Sequence, residues 1–487
     1  MTLRQILAVA VVGLPLLITG AVAVAPVRWV TKLSMTGAVA TGVIGLTLTW
    51  VAVKDASHPI AGTWIVIDAG GALLLGVISA VGLASVVMSG PFLSGVRHSF
   101  VGEEHRVRFY YVVMFLFWAL LLAIPLAGNL AAAWLLIEAT TAASALLVGF
   151  NGRRHALEAG WKYLILTSLG LGVALLGIAI LTAGVRGSGV GGLAWLRLAS
   201  FGSGSATALS AYLLLIVGLA AKIGLAPVHN WLPDAHSEAP PPVSALLSAA
   251  LLPTVLLVAW RCERALAPIV GIHTAPRILT GFGLLSLAVA VPFLWRPMPL
   301  KRLLAYSSLE HLGVIAIGVG FGTPLALAGV AAHIAGHAVA KSLGFFTATP
   351  LIAHEPRAAQ HFVTGIGRTA PVLGATMGLS LGALSGLPPS PLFVSEVLIL
   401  AGGFESGRSW AAAAAAVLLA LGFLGLAHTT IETVIGEEHH RHRGALPGMG
   451  RVTALGGLSL VLLLGLTALG PWLSSSAFVS ALARGLP

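Results

Sequence analysis

The sequence places ionisable residues inside long apolar segments, where they could bind and release protons. Glu138 lies in the middle of NLAAAWLLIEATTAASALLVGF, and Lys222 lies within LIVGLAAKIGLAPVHNW. His333, His337 and Lys341 follow one another at intervals of four residues, which on an α-helix keeps them on one face, within roughly 80°. A charged group at the centre of a bilayer costs at least about 2.5 kcal/mol, so such residues usually serve transport.

Further titratable residues lie in or beside other apolar segments. Glu396 directly follows the Pro- and Gly-rich interruption SGLPPSPLFVS. Glu310 and His311 stand next to each other in another apolar segment. Three more residues are predicted to lie in a loop, at the side where protons would be taken up: Asp234, His236 and Glu238.

These residue types suit a proton path. A buried lysine can titrate near neutral pH, and a nearby carboxylate restores its charge. A Glu138–Lys222 pair is therefore predicted to act as a switch, in which separating the partners favours loss of a proton from the lysine. Histidine titrates near neutral pH without help and can pass protons between neighbours.

Packing offers an alternative interpretation of the same residues. A Glu–Lys pair can simply hold two helices together, and a neutral histidine is not costly to bury. Asp68, Lys162 and Glu432 lie near the ends of apolar segments, so their side chains are expected to extend to the membrane surface and to carry no transport role.

The composition is that of a membrane protein. Only 9% of the 487 residues are charged, 57% are hydrophobic and the mean hydropathy is +0.97. Cys262 is the single cysteine, which excludes a disulfide within the chain and a cysteine-ligated iron–sulfur cluster or Cys-rich zinc site; no cofactor or metal is expected. The net charge of +11 is assigned to loops between spans and not to nucleic-acid binding.

A helix needs about 20 mostly apolar residues to cross a bilayer. Apolar runs predict fourteen spans in a single membrane domain covering 1–487, with a loop from Gly184 to Ser205. The approximate spans are 5–25, 33–53, 66–90, 107–125, 129–150, 160–183, 207–232, 240–260, 277–296, 302–320, 325–347, 370–400, 410–433 and 452–473. The first is interpreted as a span and not as a cleaved signal.

Positive charges predict the orientation, because Lys and Arg concentrate in cytoplasmic loops. The loops that follow odd-numbered spans hold fifteen of these residues, whereas the termini and the other loops hold nine. Fourteen spans place both termini on one side, so both are predicted to lie outside the cytoplasm.

Two spans are interrupted in a way that suggests an internal repeat. Gly224 and Pro227 interrupt the seventh span, and Gly386 with Pro388, Pro389 and Pro391 interrupts the twelfth. The interruptions are five spans apart, and an odd number of spans inverts the second copy in the membrane. Paired broken helices in inverted repeats are typical of a transport path between the repeats.

Three motifs resemble one family. KIGLAPVHNWLPDAHSEAPPPVSALLS, KRLLAYSSLEHLGVIAIGVGFG followed by HIAGHAVAKSL, and SGLPPSPLFVSEVLIL are similar to motifs of the antiporter-like proton-translocating subunits of respiratory complex I, Mrp antiporters and group 4 membrane-bound hydrogenases. The resemblance covers about spans 4 to 13. The YSSLEH segment and the chain length are most similar to component F of the hydrogenase-4 and formate hydrogenlyase type.

The resemblance implies an all-α membrane fold with about fourteen helices. Inverted repeats would cover 107–260 (spans 4–8) and 277–433 (spans 9–13), with 1–106 before them and the last span, 452–473, after them. It also implies proton-relay roles for a set of residues: Glu138, Lys222, His333, His337, Lys341 and Glu396. This sequence departs from many members in its eighth span, which offers Ser248 and Pro253 where they carry Lys or His.

The resulting hypothesis is a proton-translocating, non-redox subunit of a redox-driven complex in a bacterial or archaeal cytoplasmic membrane. Its expected partners are further antiporter-like membrane subunits, a peripheral redox arm that carries iron–sulfur clusters, and lipids. Two alternatives stay open at this point: a subunit of an Mrp-type cation/proton antiporter, and a structural membrane anchor without transport.

Overall fold

A computed structural model describes residues 2–95, 101–184, 189–198, 205–354, 360–437, 448–473 and 476–485. Parts of the predicted loop at 184–205 lie outside these ranges. So do five of the loop charges that entered the orientation count: Arg97, Arg186, Arg357, Arg441 and Arg443.

The described residues are nearly all helical. The helices up to the first broken span are Leu3–Val24 (α1), Val27–Lys54 (α2), Ala69–Gly95 (α3), Glu103–Ala123 (α4), Leu130–Val148 (α5), Arg154–Gly184 (α6), Trp195–Leu198 (α7), Ser205–Ile223 (α8) and Leu232–Glu238 (α9). Single 3₁₀ turns cover Gly149–Asn151 and Gly189–Leu193.

The second half continues in the same way. Its helices are Pro241–Leu246 (α10), Leu252–Val270 (α11), Thr274–Leu294 (α12), Leu300–Phe321 (α13), Pro324–His354 (α14), Ile366–Thr369 (α15), Pro371–Leu384 (α16), Pro391–Glu405 (α17), Ser409–Ile435 (α18), Met449–Leu473 (α19) and Ala477–Arg484 (α20). A π-helical turn, Leu247–Leu251, joins α10 to α11 without a break.

Within the described residues, twelve helices are long and apolar enough to cross a membrane. They include the continuous segment Pro241–Val270. The 31-residue α14 and the α16–α17 pair occupy the positions of the predicted eleventh and twelfth spans. The predicted multi-span helical membrane fold is therefore confirmed, whereas the count of fourteen and the inverted symmetry stay predictions.

The core lies at the centre of this helical array. The most apolar stretches of Pro241–Val270 and α13 are fully buried, whereas those of α1 and α19 are only 22% buried. The outer helices expose large apolar side chains such as Leu17, Trp50 and Val461. An apolar exterior around a buried centre is what a lipid solvent favours.

A short hairpin precedes α3, and its second strand overlaps the start of the predicted third span, 66–90. Strand β1 (Ile60–Ala61) pairs antiparallel with β2 (Val66–Ile67), with Ile60 opposite Ile67. Helix α3 begins only at Ala69, because the Asp68 carboxylate accepts a 2.6 Å hydrogen bond from the Gly71 N–H and so caps the helix.

Asp68 itself corrects one expectation. Its side chain does not extend to the membrane surface; it forms a 2.9 Å ion pair with Arg261, and the two side chains are 9% and 3% exposed. The sequence assigned Arg261 to a loop after a span that ends at 260. Helix α11 instead continues to Val270, because the arginine is neutralised inside the protein.

The first predicted helix interruption is present. Gly224 follows α8 with φ +79°, and the chain resumes a helix at Leu232. The freed backbone groups are bonded by side chains: Trp231 Nε1 donates to Ala221 O at 2.7 Å, and Ser286 Oγ accepts from Ala226 N at 3.0 Å. Such partners make a broken helix tolerable at membrane depth.

Asp234, His236 and Glu238 lie on helix α9, and their assignment to a loop is wrong. A seven-residue helix after a break is too short to show apolar periodicity. Ser244 Oγ donates to His236 O at 2.9 Å, so the end of this helix is fixed against the start of α10.

The second predicted interruption lies between α16 and α17. Gly386 has φ +76°, and a Cβ atom at this position would lie 3.0 Å from Glu396 Oε2. Helix α17 restarts with Ser390 as its cap, whose hydroxyl accepts from Phe393 N at 3.2 Å. The glycine therefore allows both the turn and the close approach of the carboxylate.

Candidate functional site

Lys222 lies in the last turn of α8, directly before the break, and its side chain is completely buried. Its ammonium group donates to Thr141 Oγ1 at 2.7 Å and to the Tyr163 hydroxyl at 2.5 Å. Tyr163 in turn is 2.7 Å from Ser144 Oγ. Helices α5 and α6 thus supply a row of hydroxyl groups to the end of the broken helix, where the helix dipole also favours a cation.

Glu138 does not form an ion pair with Lys222 in this structure. Its Oε1 accepts a 2.6 Å hydrogen bond from Ser168 Oγ, and its Oε2 is buried without a hydrogen-bond partner among the described residues. In place of the predicted pair, Glu138 and Lys222 each form hydrogen bonds with hydroxyl groups of other residues.

Lys341 occupies a similar position in the second half of the chain. It is completely buried on α14 and donates to the Leu304 carbonyl oxygen at 2.5 Å and to Ser307 Oγ. Both acceptors belong to α13. As at Lys222, the cation is bonded to neutral oxygens and not to a carboxylate.

Three buried histidines extend from Lys341 along α14 and α13. His311 Nδ1 and His333 Nε2 are 3.1 Å apart, and the centroids of the His311 and His337 rings are 5.2 Å apart. Both ring nitrogens of His337 are buried without a partner among the described residues, whereas His311 also contacts the backbone of Leu384. The predicted face is thus assembled, and His311 from the neighbouring helix joins it.

The row ends at the second helix interruption. His333 Nδ1 is 2.8 Å from Ser395 Oγ, and Glu396 is the next residue on α17. Glu310, which is 4% exposed, packs against Gly422 of α18, where its carboxylate leaves no room for a side chain. The structure thus places Glu396 at the end of the histidine row, and Glu310 on α13 beside His311.

The burial of Lys301 was not predicted from the sequence, because Lys301 was assigned to a loop between two spans. It is 4% exposed at the start of α13, and its ammonium donates to Ser237 O at 2.6 Å and Ala239 O at 2.5 Å. These carbonyls end helix α9, where a cation is favoured. Because Lys301 follows Pro299 at the edge of an apolar run, the pattern alone gave no sign of its burial.

The three titratable residues of α9 differ in their access to water. Asp234 is 29% exposed and pairs with Lys162 at 3.5 Å and Arg302 at 3.3 Å. Glu238 is half-buried. His236 is completely buried, has no partner for either ring nitrogen among the described residues, and stacks on Phe345, one helical turn from Lys341. Helix α9 thus leads from the surface towards Lys341.

The eighth span contributes a hydroxyl contact where a lysine or histidine was expected from the family. Ser248, in the π-helical turn, lies 2.8 Å from Ser308 Oγ of α13. Ser308 also donates to Leu304 O at 2.8 Å, the same carbonyl that accepts from Lys341. The serine pair therefore connects the eighth span to the surroundings of Lys341.

One group among the described residues has the composition of a metal site. Potential ligand atoms of His311, His333 and Glu396 lie within 4.8 Å of one another. Structural zinc sites normally use four ligands. Because the facing ring nitrogens of His311 and His333 are already at hydrogen-bond distance, we assign the group to hydrogen bonding. Chemically, the whole arrangement offers titratable groups joined by hydroxyls, which can hold and pass protons.

Comparison with known proteins places the chain in a family. Residues 127–422 match the transmembrane region of the NADH:quinone oxidoreductase/Mrp antiporter family. The chain belongs to this family. The matched region contains both helix interruptions and every residue of the two buried lysine clusters described above.

Two curated relatives show how the family resemblance is distributed. A hydrogenase-4 component F homolog from Methylacidiphilum infernorum is 34% identical over 327 residues, which are 65% of this chain and 68% of the relative. The NADH-quinone oxidoreductase subunit N of Desulforudis audaxviator is 30% identical over 381 residues, which are 74% of this chain and 70% of the relative.

Solved structures share the fold over almost the whole chain. A chain of an archaeal membrane-bound sulfane sulfur reductase superimposes with a TM-score of 0.85 at 20% identity, covering 98% of this chain and 97% of the other. A chain of the Mrp complex from a Dietzia species gives a TM-score of 0.81 at 21% identity, covering 100% and 98%. The family match and the curated relatives confirm the resemblance to the antiporter-like subunit family that the motifs indicated, and the solved structures share its fold.

Proposed function

We propose that this chain is a proton-translocating membrane subunit of a redox-driven respiratory or hydrogenase-type complex. It carries no redox step itself; its buried Lys, His and Glu residues move protons while other subunits transfer electrons. The family, whose members include the hydrogenase-4 component F homolog and the subunit N described above, supports this assignment.

One observation supports it most directly: the row of buried imidazole rings beside Lys341. Buried polar atoms are nearly always paired in folded proteins. Yet both ring nitrogens of His236 and both of His337 have no partner among the described residues. A packing role would be served better by apolar side chains, whereas a proton relay needs nitrogens that are free to accept and donate.

The proposed route has two parts. Protons are taken up near Asp234 and Glu238, at the exposed end of α9, and pass His236 and Lys301 to Lys341. From there they cross His337, His311 and His333 and leave by Ser395 and Glu396. Lys222, with Tyr163 and Glu138, holds a second titratable position beside the first helix interruption.

Proton transfer between the Lys222 group and the residues around Lys341 needs an additional carrier. No hydrogen bond among the described residues joins the Lys222 group to Ser248 or Ser308. We propose that water completes this step, and that the Ser248–Ser308 pair takes the place of the missing eighth-span lysine. Serine hydroxyls can pass a proton only by accepting one while donating another, so they connect titratable groups but do not store charge.

The expected partners follow from this role. The chain would assemble with further membrane subunits, some antiporter-like, and with a peripheral arm that holds the redox centres. An Mrp-type cation/proton antiporter assembly is the second candidate, since the family includes Mrp antiporters. The two differ in whether electron transfer or a cation gradient drives the protons.

Purification from native membranes tests the proposal. Partner subunits are identified, the complex is reconstituted into vesicles, and internal pH is followed with a dye after the donor for the identified redox arm is added. We expect acidification that depends on electron transfer, is abolished by a protonophore and does not require sodium. Electron transfer without proton movement, or proton movement driven only by a sodium gradient, would contradict it.

A further inference from the structure

Glu310 is a buried carboxyl group of helix α13 that the proposed route does not use. Its side chain is 4% exposed, and no hydrogen bond or ion pair joins it to another described residue. An ionisable group inside a membrane protein usually marks a path for protons or ions, because its burial is costly. The surroundings of Glu310 therefore decide what it can do there.

Helix α18 leaves room for this carboxylate at one position. A Cβ atom at Gly422 would overlap Glu310 Oε1 and would lie 3.2 Å from its Cδ. Leu294, the last residue of α12, lies 3.7 Å from the same Cβ position. The glycine thus allows the carboxylate to lie against an apolar wall formed by α12 and α18.

Towards the start of α13, Glu310 approaches the Lys341 cluster. Long side chains of an α-helix point back over the preceding turn, so Glu310 extends towards Ser307, three residues earlier. The Ser307 hydroxyl accepts a hydrogen bond from the Lys341 ammonium. The charges of Lys341 and Glu310 also lie within electrostatic range of each other. Ser307 therefore connects the lysine to the turn that carries the carboxylate.

Glu396 interacts with the same carboxylate. It lies on α17 at the end of the histidine row, and the charge of Glu310 acts on it. When two carboxyl groups lie close together, ionisation of one disfavours ionisation of the other. Glu310 is thus coupled both to the lysine that supplies protons and to the carboxyl group that releases them.

The other titratable groups around α13 come from neighbouring helices. Those on helices packed against it are His236 of α9, His333, His337 and Lys341 of α14, and Glu396 of α17. On or next to α12 and α18 they are Arg277, Arg296, His428 and Glu432, which are exposed or half-exposed. His311 follows Glu310 on α13 itself, so Glu310 adjoins the row of imidazole rings.

We propose that Glu310 stores the transported proton between Lys341 and Glu396, an assignment that rests on the function proposed above. The Lys341 ammonium gives one proton to the Glu310 carboxylate by way of Ser307, whose hydroxyl accepts this proton while it donates its own. The products are a neutral amine and a neutral carboxylic acid, so the transfer removes two buried charges and changes no net charge.

The transfer affects both ends of the row. Lys341, once uncharged, accepts the next proton from the uptake side. Glu396 is no longer repelled by a neighbouring carboxylate, so it releases its own proton and becomes ionised. The stored proton then passes through His311 and His333 to the ionised Glu396, which restores the Glu310 carboxylate for the next cycle.

Glu138 occupies a comparable position in the first half of the chain. In the predicted repeats, Glu138 lies in the second span of the first repeat and Glu310 in the second span of the second. Each carboxylate acts on one buried lysine, Lys222 or Lys341, with which it forms no ion pair. The parallel supports a transport role for Glu310 and argues against a packing role.

The test uses the reconstituted complex with Glu310→Gln, which keeps the size of the side chain but cannot store a proton. Protons moved per electron should fall about tenfold or more, as for the loss of a proton-carrying group. Infrared difference spectra between turnover and rest should show a carboxyl C=O band that this variant lacks. Glu405→Gln, which changes an exposed carboxylate at the end of α17, should alter neither result.

Gly422→Ala displaces the carboxylate without changing it. Because the new Cβ atom would overlap Glu310 Oε1, we expect translocation per electron to fall about tenfold. In the Glu310→Gln background the same substitution should have no further effect, since the group it displaces no longer carries protons. Gly425→Ala, whose Cβ would lie 2.7 Å from Trp295 Cδ1, is the matched control on the same helix.

Three outcomes would overturn the proposal. The first is translocation at the wild-type ratio in assembled Glu310→Gln while Lys341→Ala abolishes it, which removes Glu310 from the relay and leaves the proposed function standing. The second is an equal loss from Gly422→Ala in both backgrounds, which shows that its effect is one of packing. If Glu310→Gln does not assemble, Gly422→Ala decides, and a wild-type ratio in that variant is the third.

Discussion

At the scale of single residues, the charges of the two buried lysines are compensated less completely by their hydrogen bonds than they would be by an ion pair with a carboxylate. Lys222 and Lys341 are both bonded to hydroxyl or carbonyl oxygens. Neutral acceptors compensate a buried charge only in part, since the hydration lost on burial is larger than such bonds return. Bonds to neutral oxygens suit a relay better than a structural lock, which would normally pair each lysine with a carboxylate.

Glu138 provides a test at this scale. Glu138→Gln keeps the size of the side chain and its hydrogen bond to Ser168 but removes the charge that acts on Lys222. We expect the complex to assemble normally and proton translocation per electron to fall by about tenfold or more. Gel filtration and vesicle acidification measure the two effects.

The matched control is Glu432→Gln. This carboxylate is about half exposed on α18, and among the described residues its ion-pair partner is His428, at 3.4 Å. The Glu432→Gln substitution should leave both the assembly and the proton translocation unchanged. If Glu138→Gln instead disrupts assembly together with activity, Glu138 has a packing role, and the hypothesis that it acts as a switch on Lys222 is wrong.

The charged site residues were predictable because they stand out in apolar sequence. Glu138, Lys222 and Lys341 each interrupt a run that is otherwise apolar. Tyr163 and Ser168 could not be found in this way, since neutral polar residues are common in membrane helices. Their importance depends on which helices meet, and a single sequence does not contain that information.

At the scale of helices, the interruptions position the site. Gly224 and Gly386 have the positive φ that glycine adopts readily, so Gly and Pro in the sequence marked both breaks correctly. Helix ends were less predictable. The prediction that the eighth span ends before Arg261 was wrong, because the residue that neutralises Arg261, Asp68, lies 193 positions away in the chain.

The Ser248–Ser308 contact allows a test of the eighth span. Ser248→Ala removes the hydroxyl that joins the π-helical turn to α13, and we expect the rate of proton translocation to fall about two- to tenfold, as for the loss of one hydrogen bond. Ser248→Thr keeps the hydroxyl and should retain most of the rate. Vesicle acidification at equal protein assembly is the measurement.

Ser210→Ala is the control for this substitution. The exposed Ser210 hydroxyl donates within its own helix, to Ala206 O at 3.0 Å, so its loss should not change the rate. An unchanged rate in Ser248→Ala would show that the proton does not use the serine pair.

At the scale of the whole molecule, the chain is a multi-pass membrane protein with a buried polar centre and an apolar exterior. Its orientation rests on the positive charges. Two of the residues counted as loop charges are buried in the structure: Lys301 from the larger group and Arg261 from the smaller group. Because each group loses one residue, the difference between the two groups stays the same. Both termini are therefore still expected outside the cytoplasm.

Reporter fusions test this orientation. A C-terminal alkaline phosphatase, which is active only outside the cytoplasm, should be active on this chain, whereas a fluorescent protein that matures only in the cytoplasm should be dark. The opposite pattern would reverse the direction of the whole path, although its residues would stay the same.

The central claim is that the Lys341 cluster carries the translocated proton. The most direct measurement is the number of protons moved per electron by the reconstituted complex with Lys341→Ala, compared at equal assembly with Lys162→Ala, whose side chain is 49% exposed. We expect Lys341→Ala to abolish translocation, because alanine cannot hold a proton, and His337→Ala to weaken it more than Lys162→Ala does. Lys341→Ala that moves protons at the wild-type ratio would show that this buried face only packs helices together.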